Sequence, residues 1–193
     1  MNIMLNSQDE QVRMIATDII GNIVINGVEG TKDGEKHPFH ERLNCDGTIN
    51  KLIDIFNDID KEDIHFYIKR ILVFLFKAAS LPSSIESDVI KELKLWNDFK
   101  EIALLAECEA NHEAILKNNY EKLLLEEEFW EWETLNQLVL IHTILRFGND
   151  ENQRIVAFAM KPKVEKLTNQ SYIKELEQNK RWHQREMQII RSC

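Results

Sequence analysis

Apolar residues recur at helical spacing along nearly the whole of this chain, in short runs separated by brief polar breaks. Ile64, Tyr67, Ile68, Ile71, Leu72, Leu75, Ala78 and Ala79 hold the i, i+3, i+4, i+7 register that lays one face along a helix. Phe66, Val73, Phe74 and Phe76 fill its other faces, so this segment is expected to sit between two layers, buried on both sides. Breakers are scarce, with 6 Gly and 3 Pro among 193 residues. Strand-and-turn folds spend those residues at every tight turn, and no alternating strand pattern stands out. A hydrophobic share of 44% is enough to build a core and argues against wholesale disorder.

A first helix is predicted over residues 8–25. Val12, Ile15, Ala16, Ile19, Ile20 and Ile23 form its apolar stripe, with Ser7 and Glu10 at capping-box spacing. Residues 26–47 are polar and aperiodic, and five of the six glycines lie between Gly21 and Gly47. This stretch reads as an irregular insert, an extended surface loop free to move. Helical spacing resumes over 48–58 and 64–79. Another helix, opened by Ser83 and Glu86 at capping-box spacing, runs to Trp96. Further helices are predicted over 98–108, 111–118, 120–128, 131–147, 151–160 and 163–168, with a terminal helix over about 171–190. The whole chain, 1–193, reads as one all-α domain.

Internal similarity organises these segments. Leu105, Asn111, Ile115 and Glu121-Lys122-Leu123 match Leu145, Asn152, Ile155 and Glu165-Lys166-Leu167 in order, and Lys122 and Lys166 stand 166 − 122 = 44 positions apart. Thr48–Ile53 and Val89–Leu93 repeat at a similar interval. A period of about 40 to 47 residues with two or three helices each is the armadillo and HEAT range. The run Val12–Val24, with Asp18-Ile19-Ile20-Gly21-Asn22-Ile23, resembles the armadillo helix ending in a Leu-Ser-Asn-Ile-Ala-like sequence. Cys45-Asp46-Gly47-Thr48-Ile49-Asn50-Lys51-Leu52-Ile53 resembles the Gly-Gly-Ile-Pro opening of the next unit, with Asp46 in place of the first Gly and Asn50 in place of Pro. The resemblance covers about residues 8–170. It implies an armadillo-like α-α superhelix, a solenoid of about four units, with HEAT-like stacking or a closed bundle as the alternatives. It also implies a surface that receives other proteins. Asn22 matches the family's backbone-clamping asparagine. Asp18 stands where the family has tryptophan, and Arg70 and Phe74, then His142 and Arg146, take the equivalent places in later units.

Charge narrows the partners. A net charge of −9 disfavours non-specific nucleic-acid binding and anionic lipid. Cys45, Cys108 and Cys193 are widely spaced and read as reduced thiols. Met1–Glu10 has no basic-then-apolar leader pattern, and the longest apolar run, Ile71–Phe76, is too short to span a bilayer. The expectation is a cytoplasmic protein, with the nucleus also open.

Sites of chemistry are sparse. His37 and His40, with Glu35, Glu41 and Cys45, supply ligand types for zinc. They lack paired CxxC or helix-borne HExxH spacing, so they read as a polar loop and no metal is expected. Cys108 and His112 lie at i, i+4, close enough to touch, but no orienting third group accompanies them. No phosphate loop, GxSxG or GxGxxG occurs, and neither a cofactor nor catalysis is expected. Five of the eight residues 126–133 are acidic and three are aromatic, a combination that attracts Lys or Arg. Lys180–Arg185 is locally basic and reads as part of a solvated last helix. The partner is therefore expected to be a protein or peptide, with a basic segment as one form. Candidate contacts are Tyr67, Arg70, Trp96, Glu127, Glu128, Trp130, Glu131, Trp132, Glu133, His142 and Arg146. The competing class is a regulatory or structural subunit covered by a permanent partner.

Overall fold

The computed structural model describes residues 2–58, 62–118, 120 and 131–168, and among these the regular structure is entirely helical. In chain order the helices are α1 (Asn2–Leu5), α2 (Glu10–Gly27), α3 (His40–Cys45), α4 (Thr48–Phe56), α5 (Glu62–Leu75), α6 (Glu86–Leu95), α7 (Phe99–Ala106), α8 (His112–Leu116), α9 (Glu131–Phe147) and α10 (Asp150–Thr168). The helices expected at 120–128 and 171–190 lie outside the described residues, Tyr120 excepted.

Four helices pack side by side in the order α2, α5, α7, α9. Against them lie α4 on α5, α6 and α8 on α7, and α10 on α9 and α8. The core runs unbroken between the two sets. Ile20 and Val24, Leu52 and Ile55, Ile68, Leu72 and Leu75, Ile102 and Leu105, and Leu140 and Ile144 are all buried within it. Small side chains set the closest approach. A Cβ on Gly21 of α2 would meet Ile71 Cδ1 of α5 at 3.4 Å.

Several boundaries differ from the sequence expectation. Asp9 caps α2, accepting from the Gln11 and Val12 N–H groups at 2.9 and 3.4 Å, while Ser7 Oγ accepts from Asp9 N one step earlier. Ser83 caps nothing. Pro82 O accepts from both Ile85 N and Glu86 N, so the turn closes before α6 begins. The strongest helix stops at Leu75, and Ala78 takes a positive φ of 51°. Residues 150–168 form one helix with Pro162 inside it, where two had been expected.

The insert at 26–47 is the largest correction. It is neither structureless nor loosely attached: α2 continues to Gly27, α3 occupies His40–Cys45, and the segment between is fastened to three other helix ends. Lys77, just past α5, is buried. Its ammonium donates to Lys32 O at 2.9 Å, Glu35 O at 3.0 Å and Glu107 Oε2 at 2.6 Å. Gly34 N donates to the same Glu107 oxygen at 2.7 Å. Arg146 of α9 pairs with Asp33. Gly34 has φ 80°, and a Cβ there would come within 2.9 Å of Phe147, so only glycine fits. One short segment thus touches the C-terminal ends of α5, α7 and α9, which shows that the three run in the same direction.

Candidate functional site

Polar side chains inside the fold are mostly committed to holding it. Asn111 is fully buried. It donates to Ala79 O and Leu105 O and accepts from Leu81 N, joining the α5–α6 connection to the end of α7. His112 Nε2 donates to Ala106 O at 2.6 Å, leaving Nδ1 to accept from Asn152. His112 therefore serves backbone carbonyl capture, whatever its spacing from Cys108. His37 is buried as well. Its Nε2 donates to Val24 O at 2.9 Å and its Nδ1 accepts from Phe39 N at 3.1 Å. Both ring nitrogens are used, so His37 is a structural latch between α2 and the insert and not one of the scattered surface histidines expected there. Burial holds its pKa below the ordinary histidine value. The His40 ring stands edge-on to Phe76 at 5.2 Å, and burial together with Lys36 lowers its pKa. Among the described residues no group of metal-ligating side chains converges.

The surface chemistry gathers elsewhere. α5 begins as a helix buried on one side and becomes one buried all round along its length. Phe66 and Tyr67 are 54% and 56% exposed and Arg70 is exposed, whereas every residue from Ile71 to Lys77 is buried. The expected burial on both sides therefore holds only for its C-terminal half, because in the first turns Ile64 and Ile68 are buried while the side holding Phe66, Tyr67 and Arg70 is left in water. Phe66 and Tyr67 meet edge to face at 6.1 Å. Lys69, itself buried, lays its ammonium 4.9 Å over the Phe66 ring and pairs with Glu92 of α6 at 3.4 Å. Leu95 and Trp96 follow Glu92 by three and four positions, on the same side of α6, and are 72% and 69% exposed. Beside them opens a groove of about 690 Å³. Its walls include Phe56 and His65, stacked at 4.3 Å, with Glu92 and Leu95 across from them.

Of the expected contacts, Tyr67 thus lies against Phe66 on α5 and Trp96 one turn beyond Glu92 on α6, the two helices being joined here by the Lys69–Glu92 pair. Arg70 lies over the Phe74 ring at 5.8 Å. His142 and Arg146 are exposed on α9, away from this patch, and Arg146 is engaged by Asp33 and by the Phe147 ring at 5.0 Å. Glu127, Glu128 and Trp130 lie outside the described residues, as do the side chains of Glu131, Trp132 and Glu133. Sequence reasoning missed Phe66 and Leu95 because both sit in runs that read as core. It missed Lys69 and Glu92 because their pairing joins two helices. No family model, curated protein or solved structure matches this chain.

Proposed function

We propose that this chain is a non-catalytic protein-interaction module, a scaffold or adaptor built as a short armadillo-like solenoid of about four units. The reading is supported by the side-by-side row α2, α5, α7, α9, with other helices layered on it at each step. Stacked repeats leave extended surfaces that take up partners. The observation that carries the reading is the exposed aromatic surface at the two ends of the Lys69–Glu92 pair: Phe66, with Tyr67 at its edge, on α5, and Leu95 and Trp96 at the end of α6. Exposed apolar clusters with a polar rim mark interaction surfaces, and Tyr and Trp dominate binding anchors.

The partner is a protein or peptide. Glu127, Glu128, Glu131 and Glu133 draw a basic segment toward Trp130 or Trp132 in this reading. Exposed charges are screened over about 8 Å at physiological salt. Binding should therefore weaken between about 50 and 500 mM salt, and weaken again when the four glutamates become glutamines. Equal binding in all four conditions removes the acidic cluster from the proposal. Tyr67→Ala with Trp96→Ala tests the patch itself, and unchanged affinity for an identified partner would refute its role.

The second reading, a subunit held by a permanent partner, is favoured by the exposed Leu135, Leu138 and Val139 on α9 and by Phe158 on α10. No helix among the described residues is long and apolar enough to cross a membrane, so these side chains do not mark a span.

A further inference from the structure

The insert between α2 and α4 is held at two places. Residues 32–35 are clamped by Lys77 and Glu107. Residues 37–40 are held by two histidines, and this second fastening works only while the rings are neutral. Val24 O can only accept a hydrogen bond, and Phe39 N can only donate one. The His37 ring between them is therefore the neutral form with its proton on Nε2, donating at 2.9 Å while Nδ1 accepts at 3.1 Å. A proton added at Nδ1 faces the Phe39 N–H, and that bond is lost. His40 has no acceptor to offer a second proton. Both its ring nitrogens are shut from water without a partner, beside the Phe76 ring. Charging it leaves two buried N–H groups unpaired, which is far costlier than leaving one.

The surroundings also oppose a positive charge. α2 meets His37 with the Val24 carbonyl, the end of α5 brings Phe76 and Lys77, and the insert adds Lys36 and Glu41 beside His40. Burial is the larger effect at both rings. His40 and Lys77 add to it at His37, and Lys36 adds to it at His40, against the Val24 carbonyl and Glu41, which favour the charged forms. We propose that His37 and His40 form an acid-released latch: neutral, they hold the insert to α2 and to the end of α5, and protonated, they let residues 37–43 leave those helices. The clamp at 32–35 uses no histidine, so it stays closed and anchors the segment that moves. Release uncovers Phe76 and the end of α2 at Gly27, where a Cβ would come within 3.1 Å of His37 and 3.2 Å of Phe39. Because burial holds both rings below the ordinary histidine value of 6.5, release belongs to pH below that value.

Amide hydrogen exchange of the full chain at about pH 7.5 and about pH 5.5, each rate divided by that of an unstructured chain at the same pH, tests this. The Phe39, His40 and Leu43 amides bond to His37 Nδ1, His37 O and Phe39 O. They should lose about tenfold or more of their protection at the lower pH. The Ile68 and Leu72 amides of α5 should still exchange far more slowly than these, with circular dichroism unchanged. In a His37→Gln, His40→Gln variant the loss should vanish, because glutamine stays neutral. Should that variant not fold, ring NMR of the wild type takes its place: both histidine signals should titrate together with the loss of Phe39 protection. Equal protection at both pH values overturns the proposal, as does a loss that persists in the variant. So does a loss that brings Ile68 and Leu72 to the rate of Phe39, or rings that titrate while Phe39 stays protected.

Discussion

Lys77 shows how a single side chain can fasten a segment that local sequence leaves undetermined. Its ammonium is withdrawn from water and satisfied by two carbonyls and one carboxylate, and the same carboxylate holds Gly34 N. Removing one member of a buried pair leaves the other desolvated without compensation. Lys77→Ala should therefore cost about 3–5 kcal/mol and open the 32–36 segment to trypsin. Urea unfolding and limited proteolysis measure both, and a cost below about 1 kcal/mol would show the pair to be no more than a surface contact. His37 and His40 predict a pH effect. Both have pKa values depressed by burial below 6.5. The unfolded chain then binds protons more readily than the folded one, so the stabilisation is full above pH 6.5 and is lost as pH falls through the lowered folded values. The urea midpoint should drop on going from about pH 7.5 to 5.5, with a shallower drop in His37→Gln. Equal slopes for wild type and variant would show that His37 does not titrate with unfolding.

At the scale of the helix, periodicity tells which residues share a face but not which part of that face turns inward. Val12, Ile15, Ala16, Ile19, Ile20 and Ile23 were legible as a stripe on α2. The core takes only the side holding Ala16 and Ile20 and extends it through Thr17, Gly21 and Val24. Thr17 is admitted because its hydroxyl donates to Arg13 O at 2.9 Å, a bond that no spacing pattern announces. α5 and α9 were legible because long apolar runs at helical spacing have few competing readings. The insert was not, since its fastenings reach partners as far away as Arg146, 113 positions from Asp33, and nothing local to it signals them. Of the candidate site, Tyr67 and Trp96 were readable as aromatics on core-forming helices, but the Lys69–Glu92 bridge between them required the packing of α5 on its neighbours. Two substitutions on α5 separate its halves. Leu72→Ala, deep in the core, should cost about 2–5 kcal/mol. Phe66→Ala should cost under about 1 kcal/mol, since that residue is 54% exposed. Equal costs in urea unfolding would mean the helix is not graded from surface to core as described.

Among the described residues, one continuous core carries uncovered apolar surface on α2 and around Phe66, besides Leu135, Leu138 and Val139 on α9 and Phe158 on α10. The α2 edge is aliphatic, with Ile15, Ile19 and Ile23 exposed. The patch of Phe66 and Tyr67 on α5 and Leu95 and Trp96 at the end of α6 is instead aromatic, joined by the Lys69–Glu92 pair, and set beside a groove. Burying large apolar side chains is worth about 1.5–3 kcal/mol each, so a fold that leaves several of them in water has forgone that stability at the surface where a partner can recover it. The proposal that the chain is an interaction module rests on this patch, and affinity capture with quantitative mass spectrometry tests it most directly. Wild type and a Tyr67→Ala, Trp96→Ala variant, matched in circular dichroism and urea midpoint, are exposed to the same lysate. The account predicts that at least one protein enriched by the wild type falls about tenfold or more with the variant, the equivalent of about 1.4 kcal/mol in binding. The same proteins recovered in the same amounts by both would contradict it.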